Sequence, residues 1–248
     1  MTYCLAICVD KGLVFASDSR TNAGVDYVTT YRKMHFFQPA SDRTFVVLSA
    51  GSLATTQAIN NHLRRDLEYP PKDGINLATV RYLFEAAEYI GQVSQSVQQR
   101  YAAALAAAGF SGRVSLILGG QIRGQAPEIL LIYPQGNYIS ASEETPYLQI
   151  GESKYGKPNL DRLLAADLPL EVVARIALTS LDATSRSNVT VGTPFEVSLL
   201  PRDALAISHH VRVGGGSSYL MDLRQAWNEG LRAALDRLPP FDWEQPEG

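Results

Sequence analysis

Hydrophobic and polar positions alternate with two periods along this chain. Two apolar runs, Tyr3 to Val9 and Leu13 to Ser17, flank Asp10-Lys11-Gly12, the pattern of a tight β-hairpin whose second arm ends in SDSR. A less regular stretch through Gly24 and Tyr31 leads to strands at Met34 to Phe37 and Thr44 to Ala50. Leu53, Ala54, Ala58, Ile59, Leu63 and Leu67 then recur at helical spacing behind Ser52, a good cap, until Pro70-Pro71 ends the helix. A second helix is predicted from Asn76, with Val80, Phe84, Ala87, Ile90, Val93, Val97, Tyr101 and Leu105 on one stripe and a stop at Gly109.

Strands return at Val114 to Leu118, Glu128 to Tyr133, Tyr138 to Ser140 and Tyr147 to Ile150, with Gly119-Gly120 and Pro134 to Gly136 as turns. Helices follow over Tyr155 to Ala165 and Pro169 to about Thr184, then strands at Val189 to Val191, Pro194 to Leu200 and Leu205 to Val213, and a last helix over Ser218 to Leu238. Hairpin-connected strands with grouped helices argue for antiparallel sheets layered with helices rather than alternating βαβ units. The fold class expected is α+β, one domain over residues 1–238 with four layers, followed by a Pro- and acid-rich tail over 239–248.

Composition narrows the function classes. With 248 residues, 46% hydrophobic and 19% charged, the chain can bury a sizeable core. No apolar run approaches the ~20 residues of a membrane span, and the opening segment turns acidic at Asp10, unlike a secretory leader. A formal charge of −3 provides no basic field for nucleic acid. Cys4 and Cys8 lie four apart on one predicted strand, roughly 13 Å from each other and beyond disulfide reach, which fits a reducing cytoplasm. No metal-ligand spacing is present and no cofactor is expected. His209 alternates with Ile207 and Val211 and reads as a core or interface histidine.

Candidate chemistry begins at Thr2. Met is generally trimmed before a small residue, which leaves Thr2 with a hydroxyl and a free α-amine whose ordinary pKa, about 7.7–8, suits a general base. Folding the hairpin brings Asp18 beside Thr2. Lys33, at the start of the next strand, can pair with Asp18 and lower the proton affinity of hydroxyl and amine. Gly51 closes a strand and opens a helix, where backbone N–H groups are free to stabilise an oxyanion.

In this order, GLVFASDSRTNAG, Lys33 and SAGSLA before a helix resemble the β-type subunits of proteasomes and the bacterial HslV peptidases, which are N-terminal-nucleophile hydrolases. Closer still, IGESKYGKPNLDR (Ile150 to Arg162) and LDATSRSNVTVGTPFEV (Leu181 to Val197) resemble Anbu, the bacterial proteasome-like family also called ancestral β-subunit. The resemblance spans nearly the whole chain up to Leu238. It implies an αββα sandwich, threonine-type hydrolysis of peptide or amide bonds, and assembly with itself into ring-like or open, lock-washer-like homo-oligomers. It assigns Thr2 as nucleophile, its amine as base, Asp18 and Lys33 as the tuning pair and the Gly51 N–H as oxyanion donor, with Ser19, Glu152, Ser153, Ser185 and Asn188 as candidate support.

The chain also departs from the proteasome pattern. Glu152 follows Gly151 where those subunits carry a serine, Ser185 and Asn188 replace an Asp and a Ser before the late strand, and Lys33 falls one residue closer to Asp18. Three readings stand open on these residues: a peptidase, a narrow hydrolase of a small peptide-like or γ-glutamyl amide, and a scaffold ring without efficient hydrolysis. The substrate, any ATPase partner and the subunit number are not specified by one chain.

Overall fold

The computed structural model describes residues 1–22, 28–71 and 74–244. Gly24 of the irregular stretch and the last four residues of the predicted tail lie outside them. The chain runs β1 (Tyr3–Val9), β2 (Gly12–Ser17), β3 (Arg20–Asn22), β4 (Val28–Thr30), β5 (Met34–Ala40) and β6 (Arg43–Gly51) into α1 (Leu53–Glu68) and α2 (Leu83–Ala107). Strands β7 (Val114–Ile122), β8 (Glu128–Ile132), β9 (Tyr138–Ser140) and β10 (Tyr147–Gly151) precede α3 (Lys157–Leu163) and α4 (Leu170–Ser187). The remainder is β11 (Phe195–Pro201), β12 (His209–Val213), α5 (Ser218–Leu235) and a single 3-10 turn at Asp242–Glu244.

Two five-stranded antiparallel sheets, ordered β10-β1-β2-β11-β12 and β5-β6-β7-β8-β9, stack face to face. The period of two explains the layering. In β1, Tyr3, Leu5, Ile7 and Val9 pack against Leu160, Val173, Ala177 and Leu181 of α3 and α4, while Cys4 and Ala6 face inward to Phe15, Leu48 and Ile117. In β6, Phe45 and Val47 meet Ile59 and Leu63 of α1 and Ala87 and Ile90 of α2, while Val46 and Leu48 turn inward. Every central strand is thus buried on both faces, and the result is the expected α+β sandwich of four layers, αββα.

Several sequence expectations need correction. Gly119 and Gly120 form no turn; they sit inside β7, where a Cβ on Gly119 would strike the Phe15 ring and one on Gly120 the Thr44 carbonyl. Asn76 does not cap α2: its Oδ1 accepts from the Ala78 N–H at 2.8 Å, a local turn that competes with helix, and α2 starts at Leu83. Val80, Ala87, Ile90 and Val97 of the expected stripe are buried, joined by Leu83 and Ala86, whereas Phe84 and Tyr101 are exposed. Val189 to Val191 is a turn closed by the Asn188 side chain on the Thr190 N–H, not a strand. Leu205 to Ser208 precede the last ladder, with Asp203 and Leu205 at φ 63° and 52°. His209 is exposed on the edge strand β12, and its neighbour His210 is the histidine turned toward a buried carboxylate, Glu196.

Candidate active site

The register of the first hairpin builds the site. Because Cys4 pairs with Ser17, the next residue of the second arm, Asp18, faces Tyr3, and the two exchange hydrogen bonds: Asp18 N–H to the Tyr3 carbonyl and Tyr3 N–H to Asp18 Oδ1, each 3.0 Å. Lys33 Nζ lies 2.6 Å from the same Oδ1 and also donates to the Arg20 carbonyl at 2.6 Å. The Gly192 N–H donates to Asp18 Oδ2 at 3.2 Å. Burial pushes the Asp18 carboxyl up, and the Lys33 ammonium with the two N–H groups opposes that shift. With Asp18 0% and Lys33 6% exposed, loss of either partner leaves an uncompensated buried charge.

Across from this pair, β6 ends at Gly51 with φ 123°, where a Cβ would collide with the Arg113 carbonyl, so glycine is required. Ser49 donates its N–H to the Lys33 carbonyl on the β5 side and Ser52 its N–H to the Arg113 carbonyl on the β7 side. Alternation then aims the Gly51 N–H at the β5 side, beyond the point where that strand begins. Ser52 caps α1 through the Thr55 N–H at 3.4 Å, which fixes the turn. Thr2, Lys33, Gly51, Thr21 and Arg32 line one cleft of about 280 Å³.

Thr2 is half-buried, and its carbonyl accepts the Glu152 N–H at 2.7 Å. Gly151, at φ 87°, makes this approach possible, because a Cβ there would overlap the Thr2 carbonyl. With Met1 in place the nitrogen of Thr2 is an amide and the free amine belongs to Met1, so a Thr2 amine exists only once Met1 is removed. Burial lowers the pKa of the Met1 amine, Lys33 lowers it further, and Asp18 and Glu152 act in the opposite direction.

The candidate support residues divide. Glu152 and Asn188 come together, with Asn188 Nδ2 3.0 Å from Glu152 Oε2. Ser19 instead donates to the Pro194 carbonyl at 2.6 Å, Ser185 turns back to the Asp182 carbonyl at 2.9 Å, and Ser153 offers its carbonyl to Gln149. Sequence reasoning missed the Tyr3 and Gly192 N–H groups and the Arg20 carbonyl, which are backbone atoms without a side-chain signature. It also missed Thr21 and Arg32, although Arg32 adjoins Lys33. Cys4 is fully buried and burial pushes its thiol up, so it is no competing nucleophile. Among the described residues, no group of three or more His, Cys, Asp or Glu side chains is placed to hold a metal ion, and no helix is long and apolar enough to cross a membrane.

A comparison with curated proteins returned no match. The family model for the proteasome subunit matches residues 2–200. Among solved structures, Anbu (ancestral beta-subunit) from Yersinia bercovieri is 44% identical with a TM-score of 0.88, covering 97% of this chain and 99% of that one. The helical assembly of the Anbu complex from Pseudomonas aeruginosa is 42% identical with a TM-score of 0.89, covering 98% and 100%. An Anbu (Gly-1) mutant from Hyphomicrobium sp. strain MC1 is 37% identical with a TM-score of 0.90, also covering 98% and 100%. With its family model, its fold and its near full-length likeness in agreement, the chain belongs to the proteasome subunit family, in the Anbu group.

Proposed function

We propose that the protein is a threonine-type amide hydrolase that acts after Met1 is removed. The observation that carries this reading is the buried Asp18–Lys33 ion pair, one residue from Thr2 along the hairpin register, on the cleft that Gly51 also lines. In this mechanism the neutral Thr2 amine takes the proton of its own hydroxyl as Oγ1 attacks the amide carbon. The Gly51 N–H stabilises the oxyanion, and the Lys33 ammonium keeps the amine and hydroxyl acidic enough to be neutral and deprotonated in turn. Collapse delivers the amine's proton to the leaving nitrogen and leaves an ester on Thr2. Water, deprotonated by the same amine, then cleaves that ester and releases the carboxylic acid.

The small cleft favours the narrow form of this activity, on a small peptide-like or γ-glutamyl amide, over general proteolysis. A scaffold ring without hydrolysis is the second reading, supported by the Ser185 hydroxyl, which is engaged by the Asp182 carbonyl of its own helix, and by Glu152, which follows Gly151 where the resemblance to proteasome subunits leads one to expect serine. Self-assembly is part of the proposal, supported by the helical assembly described for the Pseudomonas aeruginosa relative and by the exposed Met221, Leu231 and Leu235 of α5. We place the protein in the cytoplasm, a reading supported by its two free cysteines, Cys4 and Cys8.

A rate-versus-pH profile on Met-trimmed protein with small amide substrates tests the enzyme reading. Hydrolysis is expected to rise with pH through the pKa of the Thr2 amine, with a midpoint below the ordinary value of about 7.7–8, because the Lys33 ammonium beside Tyr3 disfavours a second positive charge there. A rate that stays at background across the profile overturns this reading and leaves the scaffold.

A further inference from the structure

We infer that the cleft selects an amide whose acyl residue carries a carboxylate, received by the Arg32 guanidinium. This inference rests on the threonine-hydrolase reading and names its substrate class. The side chain of Arg32 is 62% exposed, lines the cleft with Thr2 and Gly51, and among the described residues donates no hydrogen bond. Its anchor is Glu196, a fully buried carboxylate opposite Ser17 in the β2–β11 ladder. Arg32 approaches Glu196 through Nε at 3.8 Å, too far for a hydrogen bond, and Glu196 is shared with Arg212 Nε at 3.7 Å and His210 Nε2 at 3.4 Å. The contact steers the stem of Arg32 and leaves the two terminal nitrogens for another acceptor.

The other cations of the cleft are committed. Lys33 is bound to Asp18 and the Arg20 carbonyl, and Arg20 donates to the Val189 carbonyl at 2.7 Å with its guanidinium against Gly192. Among the described residues the neighbouring carboxylates are withdrawn: Asp18, Glu152 and Glu196 are all buried, and none lines the cleft. An entering anion therefore meets a planar fork with no hydrogen-bond acceptor among the described residues, which fits a carboxylate in bidentate fashion, and an entering cation meets repulsion. Both an Asp or Glu side chain in a peptide and the α-carboxylate of a γ-glutamyl amide present this group near the scissile bond.

The test compares Met-trimmed protein on fluorogenic amides of acetyl-Glu, acetyl-Gln, acetyl-Lys and γ-glutamate. We expect kcat/KM for at least one of the two acids to exceed that for acetyl-Gln by about tenfold, equivalent to about 1.4 kcal/mol. Whichever acid leads identifies the source of the carboxylate. Arg32→Gln should bring that ratio to about one and Arg32→Glu should favour acetyl-Lys, whereas Arg175→Gln on the exposed face of α4 should keep the ratio. Equal turnover of acids and acetyl-Gln, or an acid preference that survives Arg32→Gln, overturns the inference. Failure to turn over any amide, with no Thr2 adduct from a neutral β-lactone, counts against the hydrolase reading instead. In that event NMR-detected binding of acetyl-glutamate against acetyl-glutamine decides the inference: a preference lost in Arg32→Gln supports it, and equal affinities overturn it.

Discussion

At the scale of single residues, Asp18 is held by three donors that come from three segments of chain, the Tyr3 and Gly192 N–H groups and the Lys33 ammonium. The side-chain half of this arrangement was legible in the sequence, because a tight hairpin dictates that Asp18 returns beside Thr2 and Lys33 is the next cation along. The backbone half was not, since any residue at Tyr3 or Gly192 brings an N–H. Thr2→Ala should abolish amide hydrolysis while leaving the thermal melt nearly unchanged, because a half-exposed methyl and hydroxyl contribute little packing; retained turnover contradicts the nucleophile assignment. Lys33→Ala should cost more than tenfold in rate, about 1.4 kcal/mol of barrier or more, and also lower the melting temperature, since it strands the buried Asp18. Gly151→Ala should reduce kcat by a similar factor, because a Cβ there displaces the Thr2 carbonyl; unchanged kinetics would show that the Thr2 backbone tolerates the shift.

At the scale of elements, strands were more legible than helix starts. Alternation in β1 and β6 and the two-residue turn at Asp10-Lys11 leave one register that buries both faces, whereas the start of α2 depends on Asn76 choosing its own turn over helix. Gly119 misled for a physical reason: glycine marks either a turn or a close approach, and the deciding neighbour, Phe15, lies over one hundred residues away in sequence. Ser52→Ala should cost about 1 kcal/mol by removing the α1 cap, read as a shift in urea midpoint without a change in slope. The pH dependence of stability should carry the mark of His35 on β5, whose pKa is lowered from 6.5 to about 4 by burial and by Arg64 and Arg32. A depressed histidine contributes stability that is present above its unfolded value and lost as pH falls. The melting temperature should therefore decline from pH 6.5 toward pH 4, and His35→Gln should flatten that decline; an identical decline in the variant would assign it elsewhere.

At the scale of the whole molecule, four layers bring the N-terminal strand to the middle of one sheet and the end of β6 to the other, so the cleft lies where the two sheets meet. This architecture was legible as a class because strands and helices come in groups; which sheet each strand joins was not, since β10 pairs with β1 across more than a hundred residues. Analytical ultracentrifugation should find the protein as a multimer, and a sharp monomer at micromolar concentration would contradict the self-assembly proposed here. The central claim concerns the first two residues, and mass spectrometry of the N-terminal peptide tests it most directly, on protein from its native host treated with a β-lactone probe. The account predicts a peptide that begins at Thr2, lacks Met1 and carries the probe as an ester on the Thr2 hydroxyl. An N-terminal peptide that retains Met1 throughout, or one that is trimmed but never acylated, would contradict it.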